Sequence, residues 1–386
     1  MPENVHIVVN KHTPYVVQAF NKIGKVSALD SCEITKESVR DADILIVRSE
    51  TRVDANLLEG SNVKFVGTVT IGTDHVDEEY LKKNGITFVS APGSNANSVS
   101  EYVTAALLEL SLRLSFSLHK KTLGIVGVGN VGSKVWRKAE ALGMRVLLND
   151  PPLQRQGSKL PLHSLDEIME ADIITLHVPF TRTGQDSTYH FFDETRIGKM
   201  KRNAILINTS RGGVVETEGL KRALIEKHLL TAVLDVWEKE PNIDTALLNL
   251  ALFGTPHIAG YSLDGKINAL RMNYDAVCNF LSIPVDQYID SLIPDPALPG
   301  IRVDTIQTPT EKILRDVVEK CYDISLDDKL LRKVLSLDGQ ERGMYFSKLR
   351  AEYRVRREFF NTKLTVSDEL KDVKNIFQQL GFKVIN

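Results

Sequence analysis

The fold of this chain is decided by residues 122–150, TLGIVGVGNVGSKVWRKAEALGMRVLLND. A β-branched run is followed by the glycine pattern GVGNVG at 127–132, then by an amphipathic stretch and a second apolar run that ends in Asp150. A glycine turn between a strand and a helix lets the backbone approach a pyrophosphate, and the helix N-terminus donates hydrogen bonds to it. In this context the pattern predicts a Rossmann-type nucleotide-binding domain rather than a glycine turn without a ligand.

The same stretch predicts which nucleotide binds. Asp150 follows Gly132 by 18 residues, at the end of the second strand. An acidic side chain there accepts hydrogen bonds from the adenosine ribose and repels an added phosphate, so NAD is favoured over NADP. From the turn itself we expect cofactor contacts at Gly127, Gly129, Asn130, Val131 and Gly132.

Strand and helix patterns alternate on both sides of this stretch. Before it lie the apolar runs VHIVVN, DADILIVRS, VKFVGTVT and ITFVSA, and after it ADIITLHVP, AILINTS and LTAVLDVW. This alternation is typical of parallel sheets covered by helices. Between the two series, VSEYVTAALLELSLRLS at 99–115 predicts a long, mostly buried helix.

We therefore predict an α/β protein with two doubly wound parallel-sheet domains. A Rossmann-type cofactor domain at 97–257 is inserted in a flavodoxin-like substrate domain formed by 1–96 and 258–290. The proline-containing stretch SLIPDPALPG at 291–300 suits a linker. Charged amphipathic helices follow it, and we expect a small α+β domain at 300–386.

Composition excludes several classes of function. A net charge of -2 with 42% hydrophobic residues in 386 gives neither a nucleic-acid footprint nor disorder. The start of the chain lacks a signal-peptide pattern, and no apolar run reaches about 18 residues. Three scattered cysteines suit a reducing compartment. We predict a cytoplasmic protein with no membrane or nucleic-acid partner.

No metal site is predicted. His75 stands between two acids in GTDHVD, but no second cluster of ligands has suitable spacing. We expect Asp74 to be a helix N-cap and His75 to be a surface or packing residue in the first turn of that helix.

Polar side chains follow successive strands of the second series. Arg211 lies in NTSRGG, Asp235 and Glu240 in LDVWEKEP, and His257 in TPHIAGYS. In open α/β sheets such positions meet at the crevice where ligands bind. A guanidinium can hold a carboxylate, and an imidazole oriented by an acid can take a hydroxyl proton. The set suits oxidation of a 2-hydroxy acid, whereas each residue alone is an ordinary surface residue.

These four motifs, in this order, resemble the D-isomer-specific 2-hydroxyacid dehydrogenase family over roughly residues 1–290. VRSETRV, FVGTVTIGTDHVDEEYL, TPHIAGYSLDGK and the C-terminal segment with YRVRREF resemble one branch of it more closely. That resemblance implies NAD-dependent oxidation of a small phosphorylated 2-hydroxy acid, 4-phospho-D-erythronate, in vitamin B6 synthesis. It also implies a homodimer formed through the C-terminal domain.

The resemblance implies a role for each matching residue. Catalysis is assigned to Arg211, Glu240 and His257. Substrate contacts are assigned to Ser49, Thr70 and Tyr261. Further cofactor contacts are assigned to Asp150, Val178, Thr209, Ser210, Arg211, Asp235 and Gly260. Val178 departs from the threonine of close relatives.

Two alternatives stay open. The same catalytic set would serve another D-2-hydroxy acid, such as 3-phosphoglycerate. A protein of this architecture can also act as an NADH-sensing binding partner, because fold does not fix function.

The C-terminal segment carries two patterns of its own. In TEKILRDVVEKCYDIS an apolar helical stripe must be covered by this chain or by a twin subunit, and the resemblance favours the twin. Its members are Ile313, Leu314, Val317, Val318 and Cys321. In LRAEYRVRREFF, four arginines suit either a solvated charged face or a phosphate site. They are Arg350, Arg354, Arg356 and Arg357.

Overall fold

The computed structural model describes residues 5–286, 288–304 and 309–385. The chain divides into two compact units, Met1–Asn95 with Ser262–Asp295 and Ala96–Tyr261 with Pro296–Asn386. All strand pairs within these described residues are parallel, which confirms the α/β class. Residues 296–386 lie in the same unit as the second large sheet, so the division into three domains stays a prediction.

The first unit is built on a sheet in the order β2-β1-β3-β4-β5. The strands are β1 His6–Asn10, β2 Lys25–Leu29, β3 Ile44–Val47, β4 Phe65–Thr68 and β5 Thr87–Val89. The helices are α1 Val16–Phe20, α2 Ala55–Leu58, α3 Glu78–Lys83, α11 Leu263–Phe280 and α12 Tyr288–Ser291. Four of the five strands coincide with predicted apolar runs. Strand β2 was missed because it is a half-exposed edge strand without such an apolar run.

The second unit carries a sheet in the order β11-β10-β9-β8-β6-β7. The strands are β6 Thr122–Val126, β7 Arg145–Asn149, β8 Ile173–Leu176, β9 Ile205–Asn208, β10 Thr231–Leu234 and β11 Phe253–Gly254. Strand order reverses at β6, which pairs with β7 on one side and β8 on the other. Ligands of open α/β sheets bind at the carboxyl edge of such a switch point.

Helices cover this sheet and add to its core. They are α4 Ala96–Arg113, α5 Asn130–Ala141, α6 Pro151–Arg155, α7 Leu165–Met169, α8 Glu194–Lys199, α9 Thr217–Ile225 and α10 Thr245–Leu250. The predicted long helix is confirmed as α4, which is buried continuously from Ser98 to Ser111. A helix that is buried all round belongs to the core. No helix in the described parts of the chain is long and apolar enough to cross a membrane.

The C-terminal segment adds a three-stranded parallel sheet, β12 Gly300–Val303, β13 Lys363–Val366 and β14 Lys383–Ile385. Its helices are α13 Thr310–Cys321, α14 Ile324–Leu331, α15 Gly339–Ala351 and α16 Lys371–Leu380. The apolar stripe on α13 is buried within the single chain, in one cluster with residues of α4 and α5. The expectation that a twin subunit covers this stripe is therefore wrong, because α4 supplies the cover.

The prediction for the helix near His75 also needs correction. Asp77, not Asp74, caps α3, and its carboxylate accepts a hydrogen bond from Tyr80 N at 2.9 Å. His75 precedes the helix and is 8% exposed. Its Nε2 lies 3.1 Å from Thr68 Oγ1, so the ring is a packed core group at the end of β4.

Candidate active site

The glycine turn after β6 can only be built from glycine at two positions. Gly127 has a φ of +89°, and a Cβ there would lie 2.5 Å from the carbonyl oxygen of His177. A Cβ on Gly132 would lie 1.9 Å from the carbonyl oxygen of Gly127. At Gly129 the space is open, and α5 begins one residue later with its first N–H groups unused by the helix. An exposed turn and a helix N-terminus of this form fit a pyrophosphate.

Asp150 holds this turn from the neighbouring strand. Its Oδ2 accepts a hydrogen bond from Val128 N at 2.8 Å, and its Oδ1 caps α6 through Leu153 N at 2.9 Å. On the other side, Val178 Cγ1 lies 3.1 Å from the Cβ position of Gly127. The structure thus brings Asp150, the turn and Val178 together at the switch point of the sheet.

His177 is a packed, neutral group beside this turn. Its Nε2 lies 3.0 Å from Thr175 Oγ1, and its Nδ1 lies 3.3 Å from Thr209 Oγ1. Burial lowers the pKa of His177 to about 3. An imidazole that stays uncharged at neutral pH adds no charge beside the glycine turn.

Arg211 is presented by a turn that Asn208 organises. Asn208 Oδ1 accepts hydrogen bonds from Ser210 N at 3.0 Å and Ser210 Oγ at 2.8 Å, and Asn208 Nδ2 donates to Arg211 O at 3.0 Å. The next residue, Gly212, packs on the backbone of Trp237, where a Cβ would lie 1.9 Å from the carbonyl carbon. The Arg211 turn is therefore fixed against the loop that follows β10.

That loop carries Glu240, which pairs with His257. His257 Nδ1 lies 2.8 Å from Glu240 Oε2, and Glu240 Oε1 accepts a hydrogen bond from Trp237 N at 2.8 Å. Burial by itself would raise the pKa of Glu240. The pKa is nevertheless lowered, by the charge and hydrogen bond of His257, the hydrogen bond from Trp237 N and the charge of Arg350. A carboxylate only accepts, so Nδ1 carries the hydrogen and Nε2 keeps its lone pair in the neutral ring.

Asp235 fixes the backbone on both sides of His257. Its Oδ1 accepts hydrogen bonds from Thr255 Oγ1 at 2.6 Å and Ile258 N at 2.8 Å, and its Oδ2 accepts one from Ala259 N at 2.9 Å. Its carbonyl oxygen also accepts a hydrogen bond from His257 N at 2.7 Å. His257 has a φ of +57°, a conformation that costs energy outside glycine and persists only where the surroundings fix it. Asp235 supplies those surroundings.

Arg356, one of the four C-terminal arginines, is not part of a solvated face. Arg356 is 3% exposed and donates through Nη2 to the carbonyl oxygens of Ser98 at 2.7 Å and Ala259 at 2.9 Å. Arg350 Nη2 donates to Tyr261 Oη at 2.9 Å. The interpretation as a charged surface is therefore wrong for Arg356, since its guanidinium holds the loop that carries His257.

The predicted residues fall into two sets. The catalytic and cofactor candidates, with Gly260 and Tyr261, lie in the second unit at the ends of its strands. Ser49 and Thr70 lie in the first unit, in the turns after β3 and β4. Thr70 Oγ1 lies 2.7 Å from Thr68 Oγ1 and donates to Gly72 O at 3.0 Å, so its side chain is held in place.

Sequence reasoning missed two residues that shape the site. Asn208 orders the Arg211 turn, and Thr255 joins Asp235 to Tyr102 through a 2.8 Å contact. A polar residue at the end of a buried strand was a usable signal for Asn208, whereas Thr255 depends on contacts between distant parts of the chain. Arg350, which reaches Tyr261, was expected only as one of four arginines that suit a phosphate site. Among the residues described, no three or more His, Cys, Asp or Glu side chains are grouped to hold a metal ion.

Comparisons with known proteins show the family to which this chain belongs. Residues 94–259 match the family "D-isomer specific 2-hydroxyacid dehydrogenase, NAD binding domain", and residues 292–381 match a domain of unknown function. Erythronate-4-phosphate dehydrogenase of Enterobacter sp. (strain 638) is 42% identical over 382 residues, which is 98% of each chain.

Two solved structures share the fold. D-lactate dehydrogenase from Aquifex aeolicus, in complex with NAD and lactic acid, is 28% identical with a TM-score of 0.58, over 72% of this chain and 95% of that chain. NAD-dependent formate dehydrogenase from Staphylococcus aureus, in complex with NAD, is 25% identical with a TM-score of 0.61, over 73% of this chain and 98% of that chain.

Proposed function

Because the chain belongs to the erythronate-4-phosphate dehydrogenases of the D-isomer-specific 2-hydroxyacid dehydrogenase family, and is an NAD-dependent oxidoreductase, we propose that it oxidises 4-phospho-D-erythronate to 2-oxo-3-hydroxy-4-phosphobutanoate in the synthesis of pyridoxal 5'-phosphate. The observation that carries this proposal is the His257–Glu240 pair, at 2.8 Å, beside the Arg211 turn at the carboxyl edge of a sheet that matches an NAD-binding domain.

The glycine turn and its neighbours would hold the cofactor. The N–H groups at the start of α5 would bind the pyrophosphate, and Asp150 would accept hydrogen bonds from the adenosine ribose. Val178, Thr209, Ser210, Asp235 and Gly260 are proposed to line the rest of the nucleotide site. NAD, when bound, accepts a hydride.

Arg211, His257 and Glu240 would bind the substrate and transfer its proton. Arg211 would hold the substrate carboxylate through two parallel hydrogen bonds. As the C2 hydrogen leaves as hydride, His257 Nε2 would take the proton of the C2 hydroxyl, so that the products are a ketone, NADH and an imidazolium. Glu240 would stabilise that imidazolium through Nδ1. The proton then passes to solvent, which restores the neutral ring.

Substrate contacts from Ser49, Thr70 and Tyr261 rest on the family resemblance. The held hydroxyl of Thr70 supports its role, because its geometry is fixed before any ligand binds. Tyr261 lies four residues after His257 in the same loop.

The experiment is a comparison of substrates with the purified full-length chain and NAD. NADH formation is measured with 4-phospho-D-erythronate, 3-phosphoglycerate and D-lactate. We expect the highest kcat/KM with 4-phospho-D-erythronate. A higher value with 3-phosphoglycerate would contradict the substrate, and NAD binding without turnover of any 2-hydroxy acid would contradict the reaction.

A homodimer formed through residues 300–386 and a cytoplasmic location are further parts of the proposal. The dimer rests on the resemblance, because the stripe of α13 is covered within the chain. Two apolar side chains of the segment, Met344 at 67% exposed and Val355 at 73% exposed, are available for a contact. Light scattering should give the mass of two chains, and a Val355→Asp variant should shift it toward one. A wild-type protein with the mass of one chain would contradict the dimer.

A further inference from the structure

The C-terminal segment places the positive charge of Arg350 against the loop that carries His257. Arg350 lies in the last turn of α15, and its Nη2 donates to Tyr261 Oη at 2.9 Å. The guanidinium carbon lies 5.6 Å from the centre of the Tyr261 ring. The Tyr261 ring also packs edge-on against the ring of Tyr353, with the ring centres 6.0 Å apart and an angle of 79° between the ring planes. Packing on two sides thus fixes Arg350 and Tyr261 relative to each other.

The charge of Arg350 is felt within the catalytic pair. It is one of the groups that lower the pKa of Glu240, after His257 and the Trp237 N–H. Arg350 also contacts Tyr261, four residues after His257 in the same loop, so its charge is placed to act on an anion bound at that loop.

The other three arginines of the stretch bind other partners. Arg354 forms an ion pair with Asp327, whose side chain is 2% exposed. Arg356 holds the carbonyl oxygens described above. Arg357 donates to Asn361 Oδ1 at 2.8 Å. Arg350 and Arg356 both contact the loop that carries His257, but Arg356 binds its backbone at Ala259 O, whereas Arg350 binds the side chain of Tyr261.

A phosphorylated 2-hydroxy acid carries two anionic groups, and the unit offers two arginines from separate elements. Arg211 comes from the end of β9 and suits the carboxylate next to the reacting carbon. Arg350 comes from α15 and donates to the phenol of Tyr261, and a guanidinium, with five N–H donors in a planar fork, can serve more than one acceptor. A phosphate that carries close to two negative charges is a stronger partner than a phenol.

We propose that Arg350 binds the phosphate of the substrate and sets the preference for a phosphorylated over an unphosphorylated 2-hydroxy acid. The proposal rests on the proposed function. It also assigns a role in substrate specificity to the region 292–381, which matches a domain of unknown function, because Arg350 lies in that region.

The test uses the full-length chain with Arg350→Met, which removes the charge and keeps much of the apolar stem. The quantity measured is the ratio of kcat/KM for 4-phospho-D-erythronate to kcat/KM for D-erythronate. We expect this ratio to fall roughly 10- to 100-fold, the usual scale for losing a charge-assisted hydrogen bond. Arg350→Lys keeps a point charge and should lose less of the ratio.

The matched control is Arg357→Met, which removes an arginine of the same stretch and should leave the ratio unchanged. An equal fall in kcat/KM for both substrates in Arg350→Met would overturn the proposal, since Arg350 would then only position Tyr261. An unchanged ratio in both Arg350 variants would overturn it as well.

A second readout separates this proposal from the proposed function. Inorganic phosphate, used as the probe in the presence of NAD, should raise the Tm of the wild-type chain by mass action and raise that of Arg350→Met less. If the wild type fails to oxidise 4-phospho-D-erythronate but this difference appears, the proposed substrate is wrong and the phosphate site stands. An equal rise in Tm for both proteins contradicts the phosphate site, whatever the substrate is.

Discussion

Replacement of Glu240 by glutamine removes the charge that faces His257 and one of the two acceptor oxygens, so that when the amide oxygen accepts from Nδ1, the Trp237 N–H loses its acceptor. The two side chains meet at 2.8 Å, and glutamine is close enough in shape to keep a neutral hydrogen bond to Nδ1. Glu240 is ionised throughout the neutral range, because its pKa lies below the ordinary value. The stabilisation that the charged Glu240 carboxylate supplies is therefore fully present at pH values above the ordinary pKa of a glutamate. It is lost only as the pH falls through the lowered pKa of Glu240.

The magnitude follows from distance and exposure. Two unit charges about 4 Å apart at an effective dielectric constant of about 20 attract by about 4 kcal/mol. The His257 and Glu240 side chains are 29% and 20% exposed, so solvent reduces this value. With the neutral hydrogen bond retained, we expect the imidazolium to lose about 1.5 to 3 kcal/mol of stabilisation. That loss corresponds to a roughly 10- to 100-fold lower rate of proton removal.

The assay is the pH dependence of kcat and of kcat/KM for NADH formation. In Glu240→Gln the maximal rate should fall and the acidic limb of the profile should move to lower pH, because the protonated form of His257 loses its anion. The control is Glu238→Gln, since Glu238 pairs with His190 at 2.7 Å and not with His257. A wild-type profile in Glu240→Gln, or an equal change in Glu238→Gln, would refute the reasoning.

Three further predictions concern the rest of the second unit. Asp150→Ala should reduce the preference for NAD over NADP, measured as the ratio of kcat/KM for the two cofactors, because the carboxylate that repels a 2'-phosphate is removed; an unaltered ratio would count against Asp150. Gly132→Ala should weaken NAD binding in titration and lower the Tm, because its Cβ would lie 1.9 Å from Gly127 O. The control is Gly129→Ala, which should leave the Tm nearly unchanged because nothing lies within 4 Å of the added Cβ. Burial, with the nearby charge of Glu358, raises the pKa of Glu101 to about 8. Wild-type stability should therefore fall with rising pH between about 4.5 and 8, by up to about 1.4 kcal/mol per pH unit, and denaturant unfolding of Glu101→Gln should lack this component; parallel pH curves would contradict it.

Local patterns predicted the parts of the fold that short-range chemistry determines. The GVGNVG turn requires glycine at Gly127 and Gly132 for steric reasons that any strand–turn–helix unit shares. Buried parallel strands need continuous apolar runs, so most of them could be found by eye. The edge strand β2 lacks such a run, and the N-cap was assigned to Asp74 instead of Asp77 because both acids precede helical residues.

The candidate site was predictable as far as chain order goes. Arg211, Glu240 and His257 follow successive strands, so their convergence could be inferred from topology. The 2.8 Å contact between His257 and Glu240 agrees with the expected pairing.

The contribution of the C-terminal segment could not be predicted in this way. Nothing in LRAEYRVRREFF distinguishes Arg350, which reaches Tyr261, from Arg356, which is buried against Ser98 and Ala259. Both outcomes depend on how the segment packs on α4 and on the loop after β11. The same packing explains why the stripe on α13 needs no second subunit.

The central claim is that His257 takes the hydroxyl proton of a 2-hydroxy acid while hydride passes to NAD. The direct measurement is the rate of NADH formation from 4-phospho-D-erythronate by His257→Asn, at saturating NAD, with NAD binding measured on the same preparation. The rate should fall roughly 10²- to 10⁴-fold, the scale for losing a positioned base, with NAD affinity retained. A rate within a few-fold of the wild type would contradict the claim.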